Sequence, residues 1–67
     1  MKLSARNQFQ GVVSRITEGQ AMAEVTVKVG SMDFVAAITE GSVKQMGLKV
    51  NDPVTVAVKA TEVMVGK

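Results

Sequence analysis

The sequence predicts an all-β fold, a small barrel of short strands with one short helix after the third strand. Three observations predict it. Apolar residues make up 46% of the chain and are dominated by Val, with Phe9 and Phe34 as the only aromatics. A core built from β-branched aliphatics suits a pleated surface better than a helix face. Several runs alternate apolar and polar residues with a period of two, and clusters of turn residues separate them.

The first strand is expected over about Asn7 to Thr17. Gly11 interrupts its alternation and Val12 and Val13 are adjacent, which predicts a bulge there. Glu18-Gly19-Gln20 is a turn. The second strand, about Ala21 to Val29, sets Val25, Val27 and Val29 on one face against Glu24, Thr26 and Lys28 on the other. Gly30-Ser31 suits a two-residue hairpin loop with glycine first. The third strand, about Met32 to Thr39, is largely apolar on both faces: Phe34, Ala36 and Ile38 on one, Val35, Ala37 and Thr39 on the other. Such a strand needs cover on both sides, and in so short a chain another subunit is the expected second cover.

Glu40 to Gly47 carries Val43 and Met46 three apart and reads as one or two helical turns closed by Gly47. Asn51-Asp52-Pro53 is a turn signal. A fourth strand is expected over about Val54 to Lys59 and a short fifth over about Glu62 to Val65. Four or five strands with this helix placement suggest a small OB-like Greek-key barrel.

The 67 residues make one expected domain, 1–67. A chain of this size buries too little surface to be robust alone and needs disulfides, a metal or partner subunits. Cys and His are both absent, so oligomerisation is the expected stabiliser. The start, Met1-Lys2-Leu3-Ser4-Ala5-Arg6, turns polar at once, and no stretch approaches the length of a membrane span. A cytoplasmic location is expected.

Without His or Cys the usual nucleophilic triads cannot be built. The six acids, Glu18, Glu24, Asp33, Glu40, Asp52 and Glu62, are widely spread and pair nowhere as an acid/base couple. No glycine-rich phosphate loop occurs. The inventory therefore disfavours an enzyme. A net charge of +2 with no basic run also disfavours a nucleic-acid footprint.

Three segments stand out. Ser4-Ala5-Arg6-Asn7 places a hydroxyl, a guanidinium and an amide just before the first strand. Thr39 and Ser42 stand at the entrance to the short helix, where either hydroxyl can equally be a helix cap. Lys59-Ala60-Thr61 ends the fourth strand, and small Ala60 allows close approach to its backbone N–H. Together they offer hydroxyls, two fixed cations and backbone donors. That set suits a tetrahedral dianion such as molybdate, tungstate or sulfate, whose oxygens only accept.

Ser4-Ala5-Arg6-Asn7-Gln8, Ala36-Ala37-Ile38-Thr39 followed by Ser42-Val43, and Val58-Lys59-Ala60-Thr61-Glu62-Val63-Met64 resemble the molbindins. These are the small molybdenum-pterin-binding (Mop) proteins, whose fold also occurs as the TOBE domain of molybdate transporters and regulators. The resemblance runs through essentially the whole chain. It implies a five-stranded OB-like barrel, a hexamer built as a trimer of dimers, and oxyanions held between subunits. It implies that Ser4, Ala5, Arg6, Lys59 and Ala60 act from one subunit and Thr39 and Ser42 from a neighbour. Asn7 is assigned to structure. The metal enters as an oxyanion, with no direct metal ligand. Intracellular molybdate (and tungstate) binding for storage or homeostasis is the leading expectation. The alternatives are an OB-type nucleic-acid module, against which the two Phe residues and low charge weigh, and a structural oligomer without ligand. No Trp or Tyr is present to stack a pterin.

Overall fold

A computed structural model describes residues 4–67. The polar start read over Met1–Leu3 lies outside the described residues. Four strands follow the expected order: β1 (Asn7–Glu18), β2 (Met22–Val29), β3 (Met32–Thr39) and β4 (Pro53–Val58), with helix α1 (Glu40–Met46) between β3 and β4. All neighbours are antiparallel, in the sheet order β3-β2-β1-β4, and the sheet is not closed.

Alternation decides which face is buried. Ala23, Val25 and Val27 of β2 point inward and join Val13 of β1 and Val43 of α1 in the core. Ile16, Val29, Ile38, Leu48, Val54 and Val56 pack around them. Val13 is fully buried. On β3, Phe34, Ala36 and Ile38 are half-buried on the inner side, while Val35 on the outer side is 64% exposed. The apolar outer face of β3 therefore has no cover among the described residues.

The expected bulge is present but displaced. The ladder runs regularly through Gly11, Val12 and Val13, then slips between Val13 and Arg15, leaving Ser14 as the extra residue. Ser14 Oγ donates to the Thr26 carbonyl at 3.3 Å. The physical gain is that Val13 opposes Val27 and Ile16 opposes Val25, so two apolar residues three apart both reach the inner face. Gly11 has a different role. A Cβ there would stand 2.7 Å from the Lys28 carbonyl oxygen and 2.7 Å from Val27 Cγ1, so glycine permits close approach of β1 and β2.

The turns follow their residues. Val29 pairs with Met32 around Gly30-Ser31, and Gly30 has φ 58°, as a glycine-first two-residue loop requires. Helix α1 is capped at both ends. Thr39 Oγ1 accepts from the Ser42 N–H at 3.1 Å. At the other end, Gly47 has φ 63°, its N–H reaches the Lys44 carbonyl, and the Leu48 N–H reaches the Val43 carbonyl, a Schellman arrangement. Asn51 takes φ 79° in the turn before β4. That turn is tied to β1 by Asn51 N–H to Val13 O (2.7 Å) and Val13 N–H to Asp52 O (2.9 Å).

The expected fifth strand, about Glu62 to Val65, is not formed among the described residues. Ala60–Glu62 form a 3₁₀ turn, and Val63 continues in extended backbone (φ −84°, ψ 129°) without pairing to any strand of the chain. Met64 and Val65 are 94% and 95% exposed. The residues are suited to a strand, but a ladder needs a partner backbone, and none pairs with them among the described residues. No helix among the described residues is long and apolar enough to cross a membrane.

Candidate functional site

Antiparallel pairing of β1 and β4 builds the site. Asn7 opens β1 and Val58 closes β4, and the two are ladder partners. The residues just before Asn7 and just after Val58 therefore leave the sheet at one place. Asn7 Nδ2 fastens the junction by donating to the Val58 carbonyl at 3.1 Å. Asn7 is thus a clamp between the two strand ends. Gln8 Nε2 donates to the Ala5 carbonyl at 2.9 Å and holds the approaching segment.

The result is an open cavity of about 250 Å³ lined by Ser4, Arg6, Lys59, Ala60 and Thr61. The two segments singled out at opposite ends of the sequence form its walls. Arg6 and Lys59 supply two positive charges, Ser4 and Thr61 supply hydroxyls, and among the described residues no acid lines it. The hydrogen bonds of the 3₁₀ turn begin with the Glu62 N–H, which donates to the Lys59 carbonyl at 2.9 Å. The N–H groups of Ala60 and Thr61 precede that bond and are not consumed by it. The cavity thus collects cationic, hydroxyl and amide donors, the chemistry of an oxyanion cup.

Thr61 lines the cavity in addition to the expected site residues. Its hydroxyl beside Ala60 was the available signal. Ala5 sits between two lining residues, half-buried, and does not itself line the cavity.

Thr39 and Ser42 do not join this cavity. Thr39 pairs with Met22, next to the Glu18 end of β1, whereas Arg6 precedes the Asn7 end. The twelve residues of β1 separate the two groups. Within the chain both hydroxyls serve the helix. Thr39 Oγ1 accepts the Ser42 N–H and donates to Ser42 Oγ at 2.8 Å. That geometry uses the Thr39 proton locally and leaves the Ser42 hydroxyl proton free to point elsewhere.

Known proteins place this arrangement in context. The TOBE domain family model matches residues 3–65. Molybdenum-pterin-binding protein 3 of Clostridium pasteurianum is 35% identical over 66 residues, covering 97% of each chain. A molybdate-binding protein from Sporomusa ovata superposes with a TM-score of 0.95 at 42% identity, over 100% of both chains. The cytoplasmic molybdate-binding protein ModG, solved with molybdate bound, matches with a TM-score of 0.84 at 39% identity, over 90% of this chain and 43% of its own. These relatives are binding proteins. The chain belongs to the TOBE domain family, and within it to the short molybdenum-pterin-binding proteins.

Proposed function

We propose that this protein binds molybdate, and tungstate with it, as a cytoplasmic store that buffers molybdenum, and that it catalyses no reaction. The observation that carries the proposal is the cavity that gathers Arg6, Lys59, Ser4, Ala60 and Thr61 with no acid among the described residues of its wall. A tetrahedral dianion offers four acceptor oxygens and no donor. Each oxygen finds a cation, a hydroxyl or a backbone N–H in such a wall, and charge-assisted bonds of this kind are about twice as strong as neutral ones. Relatives of matching length named as molybdenum-pterin-binding and molybdate-binding proteins support the same ligand.

Residues 1–67 act in this reading as one domain. Ser4, Ala5, Arg6, Lys59 and Ala60 hold the oxyanion from one subunit, Ala5 and Ala60 through backbone N–H groups. Thr39 and Ser42 complete the enclosure from a neighbour, in a hexamer built as a trimer of dimers. Their distance from the cavity along β1 supports a contribution in trans. The exposed apolar outer face of β3 and the open sheet support assembly, with a five-stranded barrel completed only there.

Isothermal titration with molybdate tests the site. Removing one charge-assisted donor costs about 1.5–3 kcal/mol. Arg6→Ala or Lys59→Ala is therefore expected to weaken binding roughly 10- to 150-fold. Native affinity in both variants overturns the assignment. Native mass spectrometry of the unsubstituted chain reports subunit number and bound oxyanions together. A lone, empty monomer in excess molybdate refutes the proposal.

A further inference from the structure

The two walls of the oxyanion cavity are held in different ways. Backbone fixes the wall formed by Lys59, Ala60 and Thr61. Asn7 Nδ2 holds the Val58 carbonyl at 3.1 Å, and the Glu62 N–H closes the 3₁₀ turn on the Lys59 carbonyl at 2.9 Å. The wall formed by Ser4 and Arg6 has no such frame. The β1–β4 ladder begins at Asn7, so residues 4–6 lie outside it. Among the described residues, the hydrogen bond that fastens this segment runs from Gln8 Nε2 to the Ala5 carbonyl, at 2.9 Å. Gln8 is itself anchored, because it stands in the ladder opposite Ala57. Its side chain is exposed and does not line the cavity.

The separation of Arg6 from Lys59 thus depends on one side-chain amide. Molybdate and sulfate share charge and tetrahedral shape, and molybdate is the larger. A cation free to move closes on either anion, and the smaller one gains most because attraction rises as charges approach. A cation held at a fixed separation meets the oxygens of the larger anion at full hydrogen-bond strength. It leaves a gap to the smaller anion, and hydrogen bonds weaken as they lengthen. A restrained wall therefore selects by size, whereas a loose wall does not.

We propose, on the reading that this cavity holds a tetrahedral oxyanion, that Gln8 is a positioning residue that sets the preference for molybdate over sulfate. By tying back Ala5 it keeps the wall of Ser4 and Arg6 at the width of the larger anion. It touches no ligand and acts through Ser4 and Arg6. Releasing the tie has opposite consequences for the two anions. Molybdate loses a wall that was ordered before it arrived, and must order that wall on binding. Sulfate gains a wall that can close on it.

Isothermal titration with molybdate, and displacement of sulfate by molybdate, give the ratio of the two affinities. Folded fraction and net charge act alike on both dianions, so the ratio separates positioning from a structural loss. The unsubstituted protein is expected to prefer molybdate. Gln8→Ala removes the donor, and Gln8→Glu keeps the length but offers only acceptor oxygens. Each is expected to lower the molybdate-to-sulfate ratio roughly 2- to 12-fold, the factor equivalent to one hydrogen bond. Gln10→Ala is the control. Gln10 is the next exposed residue on the same face of β1 and also donates from Nε2, to Thr55 Oγ1 at 3.1 Å, but it joins two strands already paired. It is expected to leave the ratio at its native value. An unchanged ratio in either Gln8 variant, an equal fall in Gln10→Ala, or a native protein that takes both anions equally overturns the positioning role and leaves the oxyanion reading standing. If the native protein binds neither anion, both fall.

Discussion

Gly11→Ala tests how closely β1 and β2 approach in the middle of the sheet. The new Cβ would lie 2.7 Å from the Lys28 carbonyl oxygen, 2.7 Å from Val27 Cγ1 and 2.8 Å from Val29 Cγ2. Carbon atoms do not tolerate such distances, and one of the three obstacles is backbone. Val27 belongs to the buried core and Val29 packs against it, so neither side chain swings away freely. Relief requires the two strands to separate locally. Overpacking of this kind costs about 1–3 kcal/mol. Against it stands a gain of roughly 0.4–1 kcal/mol, because alanine has less freedom than glycine in the unfolded chain. The net is a loss of about 1–2 kcal/mol. In a domain of this size each kcal/mol moves the melting temperature by about 4–8 °C, so a fall of roughly 5–15 °C is expected. The assay is thermal unfolding followed by circular dichroism, at one fixed protein concentration for both proteins because assembly makes the midpoint concentration-dependent. An unchanged or raised midpoint would refute the packing argument.

Two further perturbations probe the β3–α1 junction. Glu40 is nearly buried; its Oε1 accepts the Gly19 N–H at 3.1 Å and its own N–H donates to Ala21 O at 2.9 Å. Glu40→Ala strands the Gly19 N–H at a cost of about 1–2 kcal/mol and accelerates its hydrogen exchange, whereas Glu40→Gln keeps an acceptor and restores protection. Equal exchange at Gly19 in all three proteins argues against the link. Thr39→Ala removes the cap that accepts the Ser42 N–H and is expected to cost about 1 kcal/mol in urea unfolding, with Thr39→Ser recovering most of it. Matching losses in both variants would mean that the hydroxyl does not hold the helix.

Much of the architecture is visible in residue order, because local chemistry governs it. The alternation of β2 predicts its buried valines, Gly30 its hairpin, and Gly47 the end of α1. The boundaries of β1 and β2 differ from expectation by one residue at one end, and β4 is shifted by one residue at both. What escaped depends on partners. The bulge falls at Ser14 rather than at Gly11–Val13, because register is set by where Val13 and Ile16 meet β2 and not by the glycine. Glu62–Val65 has the composition of a strand, yet pairing depends on a backbone elsewhere. Thr61 is one hydroxyl among several in the sequence, and only the 3₁₀ turn sets it in the cavity wall.

By itself the sequence determined the strand faces, the caps and turns, the absence of His and Cys, and the pairing of two cations with small hydroxyl residues at its two ends. Tertiary structure decided that those ends meet. Placing β4 beside β1, with Asn7 opposite Val58, brings Arg6 and Lys59 to one cavity and leaves Thr39 and Ser42 beyond the other end of β1. The physical reason is that side-chain alternation is a property of neighbouring residues, whereas a binding site requires remote residues to converge, and only the register of paired strands determines which remote residues do so.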